Sequence, residues 1–377
     1  MNFDLCKEHR LLRNAVRKFA EQRVLAKVLE HDQKEIFPRK IIAEMGKLGL
    51  IGLVNSDRYG GARMGHLARM ITIEELSRVY PSLGFFLQAG NLFMYAVESF
   101  GTEEQKERYL PDLCKGIKVS AFGVTEATGG SDPTVMMTSA QEDGDFYIIN
   151  GRKTFITNPE AADVLGFLCK HGEGFSVFYV DSGTPGYEIT HREPRPGFRC
   201  IPVNELAFSN CKLPKHHLLG KAGRGLASAL TTISTIGRTG AAGVALGALV
   251  GAFEGALKYC KERVLYGKPI ANLQAIQFTL ADMSTDIEAA RWLSYYPAWQ
   301  LDKGKSPREI GAEIARAKLF TVDALLKHSL KAQQIMGAYG QAPEYRVEMY
   351  LRDGLELLTA GGTQEIMRVT VGREITR

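Results

Sequence analysis

The first third of the chain repeats apolar side chains at helical spacing. In KEHRLLRNAVRKFAEQRV the apolar residues recur every three or four positions, with Lys and Arg between them. PRKIIAEMGKLGLIGL repeats this pattern, and TEEQKERYLPDLCKG begins with a threonine N-cap and early glutamates before a glycine stop. The pattern predicts a helical N-terminal domain over residues 1–117.

The periodicity changes near residue 118. The segments DFYIINGRKTFITN, GFSVFYVDSGTPGYEI and ELAFSNCKL are short and rich in aromatic and β-branched residues, and Asn-Gly, Pro-Gly and Ser-Gly pairs interrupt them. This composition favours strands joined by tight turns. We therefore expect a middle β-barrel or sandwich domain over residues 118–221.

Long helical patterns return in the last part of the chain. The segment LASALTTISTIGRTGAAGVALGALVGAFEGALKYCKERV is continuous apart from glycines, and further long helical segments follow it. They predict a C-terminal four-helix bundle over residues 222–377. The expected fold class is α+β, mainly α, in the order helical, β, helical.

The longest apolar stretch, residues 239–253, spaces its glycines in the way that drives pairing of membrane helices. It is shorter than the roughly 20 residues that a membrane span needs. The charged segment KYCKER follows it closely. We interpret it as a tightly packed bundle helix and expect no membrane span.

Composition and charge exclude several classes of protein. The net charge of +5, without a dense Lys/Arg run, gives no support for nucleic-acid binding. The six cysteines are scattered without a CxxC pair, and the N-terminus is charged within a few residues. We therefore expect a reduced, cytoplasmic protein without a metal site. Neither a Rossmann fingerprint nor a Walker A loop is present.

Four segments combine residues suited to a cofactor. FGVTEATGGSD offers glycines and hydroxyls that can approach a ring or a phosphate, and RKTFITN places Phe155 and Thr157 on one face of a strand. KERVLYGKPIANLQAIQF is a basic helix end, and QQIMGAYGQAPEYRVEMYLRDGLELLTAGGTQEIMR joins helices through glycine-rich turns. Taken singly, each has an ordinary structural interpretation as a turn, a strand, a helix end or a connection between helices.

Taken together, the order and spacing of these motifs resemble the acyl-CoA dehydrogenase family from end to end. GVTEATGGSDPTVM is similar to the first family signature and NGRKTFITN to the flavin-contacting strand. ERVLYGKPIANLQAIQFTLADM and QIMGAYGQAPEYRVEMYLRD are similar to the two C-terminal flavin-binding segments. The helical, β, helical order is also the architecture of that family. The resemblance implies FAD as the cofactor.

The resemblance implies a set of FAD contacts. Val124 and Thr125 would contact the isoalloxazine, Phe155 would pack on it, and Thr157 would hydrogen-bond near its N5. Thr363 and Glu365 would touch the diphosphate and ribose region, and Arg238 matches the family's arginine beside the active site. The other implied contacts are Phe122, Gly130 and Ser131 in the first loop, and Arg263, Tyr266, Gln274, Gln334 and Gly337, which would hold the FAD of a neighbouring subunit.

The resemblance also shows a missing catalytic group. Most family members have Glu-Gly-Thr in the C-terminal motif, and its glutamate removes the substrate's α-proton; here the triplet is Gly361-Gly362-Thr363. A minority place the glutamate on a helix, directly before the arginine matched by Arg238, and that residue here is Gly237. Neither known position therefore holds a carboxylate.

Several explanations remain open. In the first, another element supplies the base: Asn91, Tyr95 and Glu98 lie on a segment that borders the ligand pocket in the resembled fold. The Asn91 amide cannot serve as a base at neutral pH, the Tyr95 hydroxyl is a poor one, and a structural or surface role is the favoured interpretation of Glu98. Alternatively, the substrate's α-proton is unusually acidic, or the reaction does not begin with its removal. A shift of register that uses Glu356 as the base would break the match at Thr363.

The resemblance implies an FAD-dependent oxidoreductase acting on an acyl thioester carried by CoA or by an acyl carrier protein, with hydride transfer to flavin N5. Electrons would pass to an electron-transfer flavoprotein or a similar acceptor, and the chain would form a homo-oligomer, either a dimer or a tetramer. A flavin monooxygenase and a non-catalytic flavin- or thioester-binding homologue are the alternatives.

Overall fold

The computed structural model describes residues 4–376, and its helical, β and helical parts follow one another as predicted. The N-cap predicted at Thr102 is confirmed: its hydroxyl accepts the Gln105 amide at 3.2 Å, and the Gln105 side chain accepts the Thr102 amide at 3.0 Å. The helices of the first part are α1 Lys7–Phe19, α2 Val28–Gln33, α3 Arg39–Lys47, α4 Gly65–Val79, α5 Pro81–Phe100 and α6 Glu103–Cys114.

The middle part is one mixed, eight-stranded sheet. Its strand order is β6-β7-β3-β2-β4-β5-β8, and the first strand pairs in parallel with β4. The inward faces carry the aromatic and β-branched residues that predicted strands here. The strands are β1 Ser120–Gly123, β2 Ser139–Asp143, β3 Phe146–Thr157, β4 Val164–His171, β5 Gly174–Asp181, β6 Tyr187–Arg192, β7 Val203–Pro214 and β8 Leu218–Leu219.

The last part is a helical bundle in which α8 packs against α4, α9 and α10. A short hairpin of two strands follows α8. The elements are α7 Gly225–Thr232, α8 Thr239–Glu262, β9 Val264–Leu265, β10 Lys268–Pro269, α9 Gln274–Asp302, α10 Gly311–Met336, α11 Val347–Leu357 and α12 Gln364–Ile375.

The glycines of α8 allow close packing against α4. A Cβ at Gly247 would lie 2.3 Å from the carbonyl oxygen of Glu74, so only glycine fits there. The continuous helix over residues 225–262 is long and apolar enough to cross a membrane, but 78% of its most apolar window is buried inside the protein. This burial agrees with a bundle helix.

Two junctions fix the β domain against the helices. The Ser120 hydroxyl at the start of β1 donates to the Gly90 carbonyl on α5 at 3.0 Å. On the other side, the Asp353 carboxylate of α11 accepts the Phe198 amide at 2.6 Å. Because α11 leads directly into the Gly361-Gly362 loop, the second junction positions that loop relative to the sheet.

Candidate functional site

A buried ion pair holds the loop that follows β1. Lys153 on β3 donates to the Glu126 carboxylate at 2.7 Å and to the Val124 carbonyl oxygen at 3.2 Å. Glu126 also accepts two backbone amides from the segment before β2. The pair therefore fixes Val124 and Thr125, two of the implied flavin contacts, against β3. Sequence reasoning missed both charged partners.

Phe155 adopts a left-handed backbone conformation within β3. Its φ is +55°, uncommon for a bulky residue, and its side chain is 62% exposed. Ile156 is buried, so Phe155 and Thr157 share the opposite, less buried face. The Thr154 amide donates to the Thr125 carbonyl at 3.0 Å, which places this face beside the first loop. A strained, exposed aromatic residue is typical of a ligand site.

The two positions that lack the glutamate lie against each other. A Cβ at Gly361 would be 3.3 Å from the carbonyl oxygen of Gly237, although the two residues come from different elements. Gly361 and Gly362 have φ values of +71° and +108°, which explains glycine at this turn. Thr363 ends the turn as the N-cap of α12 and accepts the Ile366 amide at 3.2 Å.

A π-helical turn carries Gly237. It spans Ile233–Arg238 between α7 and α8, and the Arg238 Nε donates to the Gly361 carbonyl at 3.3 Å. Such turns occur frequently at functional sites because the inserted residue redirects neighbouring side chains. The sequence gives no period change that would have predicted this turn; only its glycine and hydroxyl content sets it apart.

Three cations surround this pair of glycines. Besides Arg238, Lys318 on α10 donates to the Gly362 carbonyl, and Arg69 on α4 donates to the Ile236 carbonyl at 2.8 Å. Burial lowers the pKa of Lys318 to about 7 and that of Arg69 to about 9. Among residues 4–376, no acidic side chain lies within 4.0 Å of any of the three. Lys318 falls on the apolar face of the α10 helical pattern, and this unusual position was the sequence signal that could have identified it.

The buried ammonium of Lys318 predicts a pH-dependent stability. Its folded-state pKa is about 7, whereas an unfolded lysine has a pKa of about 10.4. Between these values the unfolded chain binds more protons, so this residue makes stability rise with pH. We expect the free energy of unfolding of the wild type to gain about 1 kcal/mol per pH unit relative to Lys318→Met between roughly pH 7 and pH 9. Urea denaturation across this range measures the difference; a difference that stays constant with pH would rule the effect out.

Two of the three residues expected to border the pocket make structural hydrogen bonds, which agrees with the structural role favoured for Glu98 from the sequence. Asn91 donates to the Ile51 carbonyl at 3.0 Å and accepts from Arg69 Nε at 3.2 Å. The Glu98 carboxylate accepts from the Asn55 side chain and the Ser56 amide at 2.5 and 2.9 Å. Both side chains fix the segment before α4, so neither is a free proton acceptor.

Tyr95 and Glu356 are the other two residues considered from the sequence in connection with the missing base, and their surroundings differ. Tyr95 makes an edge contact with His66, with 6.4 Å between ring centroids. Burial and the neighbouring Arg69 lower the pKa of His66 to about 3. Glu356 lies on α11, where its carboxylate accepts from Arg195 at 3.1 Å. The structure therefore gives no support for the shifted register.

Some implied FAD contacts lie on the bundle surface. They belong to the β9–β10 hairpin and to the ends of α9 and α10, and Tyr266 is 90% exposed. Among the described residues, no hydrogen bond joins this group to the loop after β1 or to β3. This surface position agrees with the expectation that these residues bind the FAD of a neighbouring subunit. That expectation stays a prediction. The group comprises Arg263, Tyr266, Gln274, Gln334 and Gly337.

The chain matches three family descriptions in succession. Residues 6–117 match the acyl-CoA dehydrogenase N-terminal domain, residues 121–211 the middle domain and residues 223–376 the C-terminal domain. The chain belongs to the acyl-CoA dehydrogenase family.

Several relatives match this chain over its full length. It is 37% identical to a short-chain specific acyl-CoA dehydrogenase of Clostridium acetobutylicum over 100% of both chains. The butyryl-CoA dehydrogenase structure from Megasphaera elsdenii superposes with a TM-score of 0.96 at 33% identity over 100% of both chains. A chain from a study of the electron transferring flavoprotein of Acidaminococcus fermentans superposes with a TM-score of 0.97 at 36% identity, again over 100% of both.

Acyl-CoA dehydrogenases bind FAD, and the residues present here fit that cofactor. The exposed Phe155 ring offers a flat apolar surface, and the residue before it, Thr154, is hydrogen-bonded to the Thr125 backbone. At the second loop, the Thr363 N-cap and the amides of the first turn of α12 suit a phosphate group. Gly130 and Ser131 lie in the loop after β1, whereas Phe122, expected in that loop, lies within β1 and is buried. Glu365 lies in the first turn of α12.

Removing the Phe155 ring tests its predicted cofactor role. We expect Phe155→Ala to weaken FAD binding about threefold to tenfold, as for the loss of one aromatic stacking contact. The stability of the apoprotein should change by less than about 0.5 kcal/mol because the side chain is exposed. Fluorescence titration of apoprotein with FAD measures the affinity. Ile189→Ala, an exposed change on β6, is the control; equal affinity for FAD in both variants would argue against the contact.

Proposed function

We propose that this acyl-CoA dehydrogenase oxidises the Cα–Cβ bond of an acyl thioester without a carboxylate base at either family position. The observation that supports this most is the contact between the two glycines. A Cβ at Gly361 would lie 3.3 Å from the carbonyl oxygen of Gly237. The side-chain direction of Gly361 faces the backbone of Gly237, and neither of the two family positions carries an acidic side chain. The names of the relatives, which include a short-chain acyl-CoA dehydrogenase and a butyryl-CoA dehydrogenase, support a thioester substrate.

The chain's own residues would bind and orient the reactants. Phe155, Thr125 and Thr157 would hold the flavin ring, and the loop held by Lys153 would keep Val124 in place. FAD, when bound, supplies the acceptor for the hydride from Cβ. The protein thus contributes position and polarity while the cofactor carries the redox chemistry.

The surroundings of the two glycines favour negative charge on the substrate. Arg238, Lys318 and Arg69 all donate to backbone carbonyls around them. Such cations would stabilise an enolate-like thioester as it loses its α-proton. They therefore make the α-proton more acidic, which reduces the need for a strong positioned base. Solvent or a weak base can then accept the proton from a sufficiently acidic substrate.

The proposal also covers the carrier of the acyl group, the electron acceptor and the oligomeric state. The surface group around Tyr266 would complete the FAD site of a neighbouring subunit, so the active form would be a homodimer or homotetramer. The solved relative from the study of an electron transferring flavoprotein supports such a protein as the electron acceptor. CoA is the favoured carrier because the relatives are named for CoA thioesters.

Anaerobic titration of the flavin-loaded protein with a panel of acyl-CoA thioesters tests this proposal. At least one thioester should bleach the oxidised flavin absorbance and yield an enoyl thioester that lacks a pair of hydrogens. No bleaching by any thioester, with dithionite still bleaching the flavin, would favour a binding protein. Rapid reoxidation in air with oxygen incorporated into the product would favour a monooxygenase.

A further inference from the structure

Lys318 on α10 is a buried amine behind the N-terminus of α12. Its side chain is fully buried, and its Nζ donates to the carbonyl oxygen of Gly362, the residue before the Thr363 N-cap. Within residues 4–376, no carboxylate forms an ion pair with this amine. Burying an ammonium group that has only a neutral partner is costly, so the position suits an anion bound close to it.

A second contact ties the first turn of α12 to the same part of α10. The side-chain amide of Gln364 donates to the Leu319 carbonyl at 3.1 Å and to the Asp323 carboxylate at 2.8 Å. Lys318 and Gln364 therefore connect both sides of the N-cap to α10. They keep the positive end of the α12 dipole in a fixed place, where an anion such as a phosphate group is favoured.

The surroundings of Lys318 let its charge change near neutral pH. Burial is the largest influence and lowers the pKa of Lys318 to about 7. Arg238 on the π-helical turn repels the ammonium, whereas Glu365 and Asp323 attract it. Both acids already pair with Arg368, at 3.5 and 3.3 Å. The Arg238 guanidinium keeps its proton throughout this range, so Lys318 is the cation here that can gain or lose one.

We propose that Lys318 is a positioning residue for FAD that takes up a proton from solvent when the cofactor's diphosphate binds at the N-terminus of α12. The bound anion favours the charged form of the amine, because an opposite charge nearby stabilises an ammonium group. The charged amine then holds the Gly362 carbonyl more strongly and fixes the cap beside the diphosphate. The inference requires FAD binding but not the oxidation of a thioester, so it stands apart from the proposed function.

Calorimetric titration of the full-length apoprotein with FAD tests the inference on the unmodified chain. The same titration at about pH 8 in HEPES and in Tris, whose ionisation enthalpies differ, gives the number of protons taken up per FAD. We expect about 0.5–0.9 proton, and an affinity for FAD that falls roughly fivefold to tenfold from about pH 7.5 to about pH 8.5. FAD binding without proton uptake, at an affinity that does not change with pH, would overturn the inference and leave the proposed function standing.

Variants then assign the proton to Lys318. Lys318→Met should abolish the uptake and the fall in affinity, whereas Lys327→Met changes a 59% exposed lysine on the same helix and should retain both. Lys318→Arg provides a second route if Lys318→Met does not fold, since a guanidinium stays charged and should also remove the uptake. Weaker binding with an unchanged proton count in either Lys318 variant would show that Lys318 has only a structural role and would contradict the assignment.

Discussion

Gly237→Glu is expected to oxidise straight-chain acyl-CoA thioesters about a hundredfold to ten-thousandfold faster than the wild type, the usual contribution of a positioned general base. The wild type has no acidic side chain at this position or at Gly361, and a glutamate introduced on the π-helical turn would stand at the family's alternative position for the base. Gly237 is the better position because its φ lies outside the left-handed region and an added Cβ meets neighbours at 3.5 Å or more.

The alternative position is less favourable. Gly361 has a φ of +71°, and a Cβ there would lie 3.3 Å from the Gly237 carbonyl. A side chain in left-handed conformation costs roughly 1–2 kcal/mol. We therefore expect Gly361→Glu to gain less activity than Gly237→Glu and to lose some stability.

Stopped-flow reduction of the flavin by butyryl-CoA under anaerobic conditions measures the gain. Gly237→Gln is the matched control, since it has the same size and no basic carboxylate, and it should show no gain. A similar gain in both variants would mean that the side chain acts by filling space. No gain in Gly237→Glu, with FAD still bound, would mean that the proton step is not what limits the wild type.

Lys153→Met is expected to destabilise the folded chain by about 3–5 kcal/mol, as for breaking a buried ion pair on one side. Lys153 is fully buried and Glu126 is 5% exposed, so the substitution leaves a carboxylate in the core without its counter-ion. The Val124 carbonyl loses its donor as well. Because the flavin loop depends on this pair, the variant should also retain less FAD.

Urea denaturation of the apoprotein measures the loss in the free energy of unfolding. Lys212→Met is the control: this lysine also lies in the sheet, on β7, but its side chain is 52% exposed and it pairs with Asp143 at 3.5 Å. Exposed pairs contribute about 0–1 kcal/mol. Equal losses in the two variants would show that the buried pair has no special role.

Local sequence signals were enough for the architecture. Helical and alternating periodicities predicted the order of helical, β and helical parts, and the Thr102 cap was recognisable because capping depends on residues three positions apart. The glycine spacing of α8 indicated close packing, and the sheet shows the predicted strands. The resemblance to the family then placed the motifs that border the candidate site.

Features that depend on distant residues or on exact backbone angles were not predictable. The Lys153–Glu126 pair joins β3 to the loop after β1, and neither residue stands out locally. The positive φ of Phe155 lies at one of two irregularities in the pairing of β3 with β7, and no local sequence signal marks it. The contact between Gly237 and Gly361 requires the folded arrangement of two elements far apart in sequence. Asn91 and Glu98 border the pocket by position, but an amide is not a base and a structural role was the favoured interpretation of Glu98; their hydrogen bonds show which segments they hold.

Deuterium exchange at Cα tests the central claim, the absence of a positioned base, most directly. The flavin-loaded wild type and Gly237→Glu are incubated anaerobically with butyryl-CoA in heavy water, and the recovered thioester is analysed by mass spectrometry against an enzyme-free control. The account predicts that Gly237→Glu incorporates deuterium at Cα much faster than the wild type, in which no positioned base removes the proton. Incorporation by the wild type at the rate of the variant would show that a further group removes the proton and would contradict the account.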